Sequence, residues 1–326
     1  MSQLSTCGVV DVHTHAIPDR LPDLTRYDGE WPSLVHTAER TAQLLIGGSP
    51  YRVLDDRCWS VERRLADMDA EGIDVQVLSP IPVTLSHDQP VAGAVVLAQA
   101  QNDYFAQMVA CAPDRFRALG SVPLQDPSAA VDELVRCIDE LGLLGVEIGT
   151  RVGDLELSAP EFEDFFDAAA DRGAFILIHP VDRALDPRHV ELGMAFGMGM
   201  PAETATAGAA LVTGPHRRGG AHICLAHGGG SLPAVLPRLD KGAELAGSQD
   251  PRPSDRARQL WCDSLTYDAA SLELAMKRFG SSHVLLGTDY PFVARETPPG
   301  AVLDAFDVSV RDVVMRRNPA QFITGC

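Results

Sequence analysis

At 326 residues with 45% hydrophobic side chains, the chain can bury a large core, and its length suits a single α/β barrel. A formal net charge of −18 argues against a nucleic-acid partner, because phosphate recognition needs a concentrated basic surface. The apolar runs are short and broken by charges, Gly or Pro, so none reaches the roughly 20 residues of a membrane span. The opening MSQLSTCGVVDVHTHA has no basic-then-apolar export signal, and a soluble cytoplasmic protein is expected.

Short apolar, β-rich runs alternate with helical patterns, which is the signature of βαβ units and a parallel sheet. Eight strands are predicted over 8–16, 74–79, 118–123, 145–149, 174–179, 222–227, 260–264 and 284–289. Runs such as AFILIHP suit strands buried on both faces. Helices are predicted between them over 61–71, 91–112, 128–141, 160–172, 202–211, 232–246 and 269–279, with a last one near 309–317. Asp126-Pro127 opens the third of these, with Asp at the cap and Pro in the first turn. Eight repeats favour a closed (β/α)8 barrel, one domain over 1–326, over an open sheet, and no G-x-G-x-x-G follows the first strand. Two irregular insertions, over 18–60 and 180–201, are expected above the C-terminal face, where barrel enzymes bind substrates.

Seven cysteines stand without regular spacing or any C-x-x-C, so reduced and mostly buried thiols are expected. Cys7, Cys224 and Cys262 adjoin strand-like runs and read as small core residues.

The polar residues at the strand ends carry the chemistry. His13 and His15 end the first strand two positions apart, so both imidazoles share a face and can chelate one ion. The fifth strand ends in His179, the sixth in His227 and the eighth in Asp289. Barrel geometry gathers those ends on one rim. Imidazole and carboxylate donors together suit Zn2+. Lysine occurs only at 241 and 277, far from the fourth strand's GVEIGT, so no modified lysine can bridge two ions there, and one metal is expected. Glu147 in that strand is expected to point into the barrel or to support another residue.

The motifs DVHTHAIP, RLADMDAEGIDVQVLSP, VPLQDP, MPAET, AHGGGSLPAVLPRLD and LLGTDYPF, spread nearly end to end, resemble the metal-dependent decarboxylase branch of the amidohydrolase superfamily. The resemblance implies a TIM barrel with one Zn2+ held by His13, His15, His179 and Asp289, and a bound water that His227 contacts as general acid–base. It further implies that Arg52 binds a substrate carboxylate and that Arg238 is supplied across a homodimer interface. The reaction implied is a non-oxidative decarboxylation of an unsaturated or aromatic amino- or hydroxy-carboxylate, 2-amino-3-carboxymuconate-6-semialdehyde or an analogue. Two departures from the family pattern bear on the substrate. Gly47-Gly48-Ser49-Pro50 replaces a lysine-bearing stretch, and the loop after strand five has Val181 and 192–196 where tryptophan is usual, which predicts a lost cation and a lost aromatic wall. The competing readings are a zinc hydrolase of a lactone or amide, and a silent barrel kept as a scaffold. The two arginines favour the decarboxylase and the intact ligand set disfavours the scaffold.

Overall fold

In the run Phe175–His179, Ile176 and Ile178 pack outward under the helices, while Phe175 and Leu177 pack inward. That period-two division recurs around the sheet and explains why whole strands such as Val10–Ala16, Val75–Pro80 and Gly145–Gly149 are buried throughout. The structure is a computed structural model that describes residues 8–215 and 219–323. Cys7 and Cys326 lie outside the described residues.

Eight parallel strands run in chain order: Val10–Ala16, Val75–Pro80, Phe116–Gly120, Gly145–Gly149, Phe175–His179, His222–Leu225, Trp261–Asp263 and Val284–Leu285. The ring closes between first and last: Val12 N donates to Leu286 O at 2.9 Å, Asp289 N to His13 O at 2.9 Å, and His15 N to Tyr290 O at 2.6 Å. The closing seam is therefore the stretch that carries three of the four expected metal ligands. The third strand ends earlier than the sequence pattern implied, at Gly120, because Ser121 N leaves the ladder and donates to Asn102 Oδ1 at 2.7 Å.

Helices return the chain between strands. Val61–Glu71 starts at a Ser60 cap, whose Oγ accepts from Arg63 N, and stops at Gly72 with φ 72°, a conformation glycine adopts without strain. Pro127–Val135 starts at the Asp126 cap and passes into a single wider turn at Arg136–Glu140. Ala269–Phe279 starts at an Asp268 cap. No helix among the described residues is long and apolar enough to cross a membrane.

The first insertion is not irregular. Pro32–Ala38, Thr41–Ile46 and Ser49–Asp55 form a three-stranded antiparallel sheet. Its second hairpin turns at Gly47 and Gly48, with φ 55° and 78°, between the paired residues Ile46 and Ser49. Thr41–Ile46 alternates half-buried and buried residues, and Ala42, Leu44 and Ile46 form its buried face. The second insertion holds the short helix Pro187–Glu191 and the turn Ala195–Gly199. Trp59, where the first insertion rejoins the barrel, stacks edge-on to His36, and its carbonyl accepts from Tyr104 Oη at 2.8 Å. It anchors the insertion and does not line the pocket described below.

Candidate metal centre and active site

His13 and His15 reach the barrel's inner rim through an irregularity in the first strand. Val12 packs in the inner apolar cluster, yet the next residue, His13, also faces the interior, because the register with the second strand shifts between Asp11 and Thr14. Arg64, fully buried, fixes this segment. Its guanidinium donates to His15 O at 2.8 Å, Thr14 Oγ1 at 3.0 Å, Arg57 O at 3.0 Å and Gln76 Oε1 at 3.1 Å.

The four expected ligands converge: one donor atom from each of His13, His15, His179 and Asp289 lies within 4.8 Å of the others, and all four residues are buried. Hydrogen bonding on the far side of each ring defines what faces inward. His15 Nδ1 lies 2.8 Å from Pro80 O and His179 Nδ1 lies 2.7 Å from Pro180 O. A carbonyl can only accept, so both Nδ1 atoms carry the proton and both Nε2 atoms present lone pairs. His179 Nε2 is buried without a partner. His13 Nδ1 is turned to Asp263 Oδ2 at 2.6 Å, and His13 Nε2 lies 3.1 Å from His15 Nε2. Asp289 Oδ1 lies 3.1 Å from His15 Nε2 and 3.7 Å from His13 Nε2. Three imidazole lone pairs and a carboxylate oxygen facing one another repel unless a cation lies among them, so this donor set fits one divalent ion.

Asp263, which the sequence reading passed over, organises two sides of the site. Its Oδ2 accepts from His13 Nδ1 and from His227 N at 2.9 Å, and its Oδ1 accepts from Gly228 N at 2.8 Å and Leu265 N at 3.0 Å. Burial alone would raise its pKa, but the hydrogen bonds from His13 and from Gly228 N hold it below the usual carboxylate range. The only signal in the sequence is an acidic residue at the end of the seventh strand, where a buried run should stay apolar. Gly287 lets the seventh and eighth strands approach here. A Cβ on it would lie 2.7 Å from Asp263 Cβ and 2.8 Å from His13 Cβ, closer than real contacts allow.

His227 stands beside the ligand cluster without joining it, its ring centre 4.9 Å from that of His179 and 5.3 Å from that of His13. Burial, then the neighbouring His13, lower its pKa to about 4, so the ring is neutral near pH 7. Both His227 and Asp289 adopt positive φ, 57° and 66°, in the left-handed region that non-glycine residues seldom occupy. Glu147 is fully buried inside the barrel, 3.7 Å from His15 Nδ1, and burial raises its pKa to about 8.

A cavity of about 490 Å³ opens over this cluster, and its lining includes His179, His227 and Asp289. The first insertion contributes Tyr51, Arg52, Asp55 and Arg57 to its wall, and the second contributes Asp182, Phe196 and Met200. Arg52 thus lines the cavity above the cluster. Its guanidinium stands 4.7 Å over the ring of Phe292, which in turn stacks on His15 at 5.2 Å between centres. Phe196 corrects one expectation: the loop after strand five does present an aromatic ring to the pocket, so that wall is altered rather than lost. The turn at Gly47-Gly48 places no cation in the lining. Arg238, on the exposed side of helix Leu232–Leu245, does not line this cavity.

The match to known proteins runs along the same residues. Residues 10–323 match the amidohydrolase family model. A 2-amino-3-carboxymuconate-6-semialdehyde decarboxylase from Dictyostelium discoideum is 34% identical, over 96% of this chain and 91% of its own. Among solved structures, a 5-carboxyvanillate decarboxylase from Sphingomonas paucimobilis superposes with TM-score 0.71 at 28% identity, over 82% of this chain and 84% of its own. A dihydroxybenzoic acid decarboxylase from a Polaromonas species, solved with bound manganese, shares the barrel fold with TM-score 0.74 at 20% identity, over 97% and 96% of the two chains.

Proposed function

This chain belongs to the amidohydrolase family, and from that premise we propose that it is a zinc-dependent, non-oxidative decarboxylase of an unsaturated or aromatic acid bearing an amino or hydroxyl group. 2-Amino-3-carboxymuconate-6-semialdehyde, the substrate in the name of its 34%-identical relative, is the first candidate. The observation that carries the reading is the convergence of His13, His15, His179 and Asp289 beneath a pocket that also holds a neutral His227 and the cation Arg52. Nitrogen-rich donors favour zinc over harder ions.

His13, His15, His179 and Asp289 would hold a divalent ion, which would supply Lewis acidity to stabilise negative charge on the substrate. The protein's own groups do the rest. Arg52 binds a carboxylate and orients the acid against the ring of Phe292. The bond from the ring or chain carbon to the carboxylate breaks, CO2 leaves, and the carbon keeps the electron pair. The carbon takes up one proton in exchange, and His227, neutral at pH 7, relays that proton from solvent to the carbon. The apolar lining from Ile81, Pro82, Val83 and Phe292 excludes water and strengthens these charge interactions.

A homodimer in which Arg238 serves the neighbouring pocket is part of the proposal. The exposed guanidinium on helix Leu232–Leu245, without a partner among the described residues, supports it. The free thiols Cys58, Cys111, Cys137, Cys224 and Cys262 accord with a reducing compartment, and the cytoplasm is the proposed location. A lactone or amide hydrolase has no use for the Arg52 clamp, and no observation on this site favours it.

The test is CO2 release from enzymatically generated 2-amino-3-carboxymuconate-6-semialdehyde by zinc-loaded protein, with His227→Ala as control. Turnover that the substitution abolishes is expected. No CO2 from this acid or from a panel of hydroxy- and aminobenzoates, by protein that holds one metal per chain, overturns the proposal.

A further inference from the structure

Two arginines line the pocket, and their surroundings differ in a way that sorts their roles. Arg57 is closed off. Its Nε and Nη2 both bond the carboxylate of Asp55, at 2.7–3.1 Å, so its fork is already filled. Arg52 is held differently. A single nitrogen, Nη2, reaches Asp182 Oδ2 at 3.4 Å, at the long limit of a hydrogen bond. Its flat faces are covered by the rings of Phe292 at 4.7 Å and Tyr51 at 5.4 Å. The remaining edge of the guanidinium has no partner among the described residues.

Asp182 stands three residues beyond His179, in the loop that leaves the fifth strand, whereas Arg52 belongs to the insertion sheet. Tyr51, its neighbour in that sheet, donates its hydroxyl to the same Oδ2. One carboxylate oxygen therefore ties both side chains of the sheet to the strand that carries a metal ligand. A free arginine side chain holds rotamer entropy that a ligand must otherwise overcome.

We propose that Asp182 is a positioning residue that, with Tyr51, holds Arg52 by one nitrogen and leaves the open edge of its guanidinium facing a substrate carboxylate. The arrangement fixes the span between the metal centre and the carboxylate clamp, so it selects for the length of the acid as well as its charge. The inference rests on the carboxylate-binding role given to Arg52 above, not on what happens to the carboxylate afterwards.

The primary test needs no turnover. Ligand-free protein is labelled with phenylglyoxal and the rate at each arginine is read by peptide mapping. In Asp182→Asn and in Tyr51→Phe, labelling of Arg52 is expected to rise several-fold while Arg57, clamped by Asp55, stays at the wild-type rate. Tyr51→Phe removes one hydroxyl and serves if Asp182→Asn does not fold. The second readout is affinity for 2,6-dihydroxybenzoate, titrated by calorimetry into metal-loaded protein, or KM and kcat on any acid that is turned over. Asp182→Asn should weaken binding or raise KM about tenfold with little change in kcat, and that effect should vanish in an Arg52→Ala background. Unchanged Arg52 labelling in both variants overturns the proposal, as does an Asp182→Asn effect that persists in full without Arg52. Absence of CO2 release would reject the decarboxylase reading and leave the labelling result standing.

Discussion

His13 Nδ1, from the first barrel strand, lies 2.6 Å from Asp263 Oδ2 at the end of the seventh, and the same oxygen accepts the backbone N–H of His227. One carboxylate thus sets the orientation of a metal-ligating ring and the position of the residue assigned to proton transfer.

Asp263→Asn should therefore damage two functions at once. The amide can present a donor where His13 needs an acceptor, so the ring loses its fixed tautomer. Loss of such a supporting contact typically costs about 10–100-fold in metal affinity. Zinc competition against a chromophoric chelator checks this, with parallel loss of CO2 release expected. Unaltered affinity would remove Asp263 from the metal's support.

Metal removal should lower stability as well as activity. An ion that binds only the folded protein stabilises it by about 4 kcal/mol at 1,000 times its dissociation constant. Dialysis against a chelator is expected to lower Tm and abolish CO2 release, and added Zn2+ should restore both. His179→Ala protein should show the lower Tm whether or not metal is added.

Arg64 is a structural prediction. Its four hydrogen bonds end on His15 O, Thr14 Oγ1, Arg57 O and Gln76 Oε1, and all but the one to Arg57 O are fully buried. Arg64→Met leaves these acceptors unpaired, at a cost of about 1–3 kcal/mol for each that finds no new partner. Denaturant unfolding should show a loss of at least about 3 kcal/mol. A smaller loss would mean that water enters and replaces the guanidinium.

Subunit mixing addresses Arg238. Arg52→Ala and Arg238→Ala proteins should each be nearly inactive. Mixed after mild dissociation, they should regain part of the wild-type rate, because one of the two pockets in a hybrid dimer keeps both arginines. No recovery, with hybrid dimers confirmed by mass, would refute the shared pocket.

Much of this was legible in the chain. The eight strands could be located because strands buried on both faces need near-continuous apolar runs, as in Phe175–His179. The candidate donors could be located because strand ends converge in a barrel, so His13, His15, His179, His227 and Asp289 were implied together, and the first three with Asp289 are the ones whose donor atoms meet. The insertion sheet was missed although Gly47-Gly48 between alternating runs is a hairpin signal, because half its residues face solvent and blur the apolar pattern. Phe196 was read as part of a lost wall because nothing local states which way a loop side chain turns.

What the sequence determined by itself is local in origin: periodicity marked strands and helices, residue type at strand ends offered His13, His15, His179, His227 and Asp289 as candidate donors, and the family resemblance set His227 apart from the other four. Only the tertiary structure decided which groups support those donors. Asp263 to His13 spans 250 residues and Tyr51 to Asp182 spans 131, and neither pairing leaves a trace in the spacing of the chain. Hydrogen bonds depend on distance and angle between atoms, so partners that meet only when the barrel closes have no one-dimensional signature.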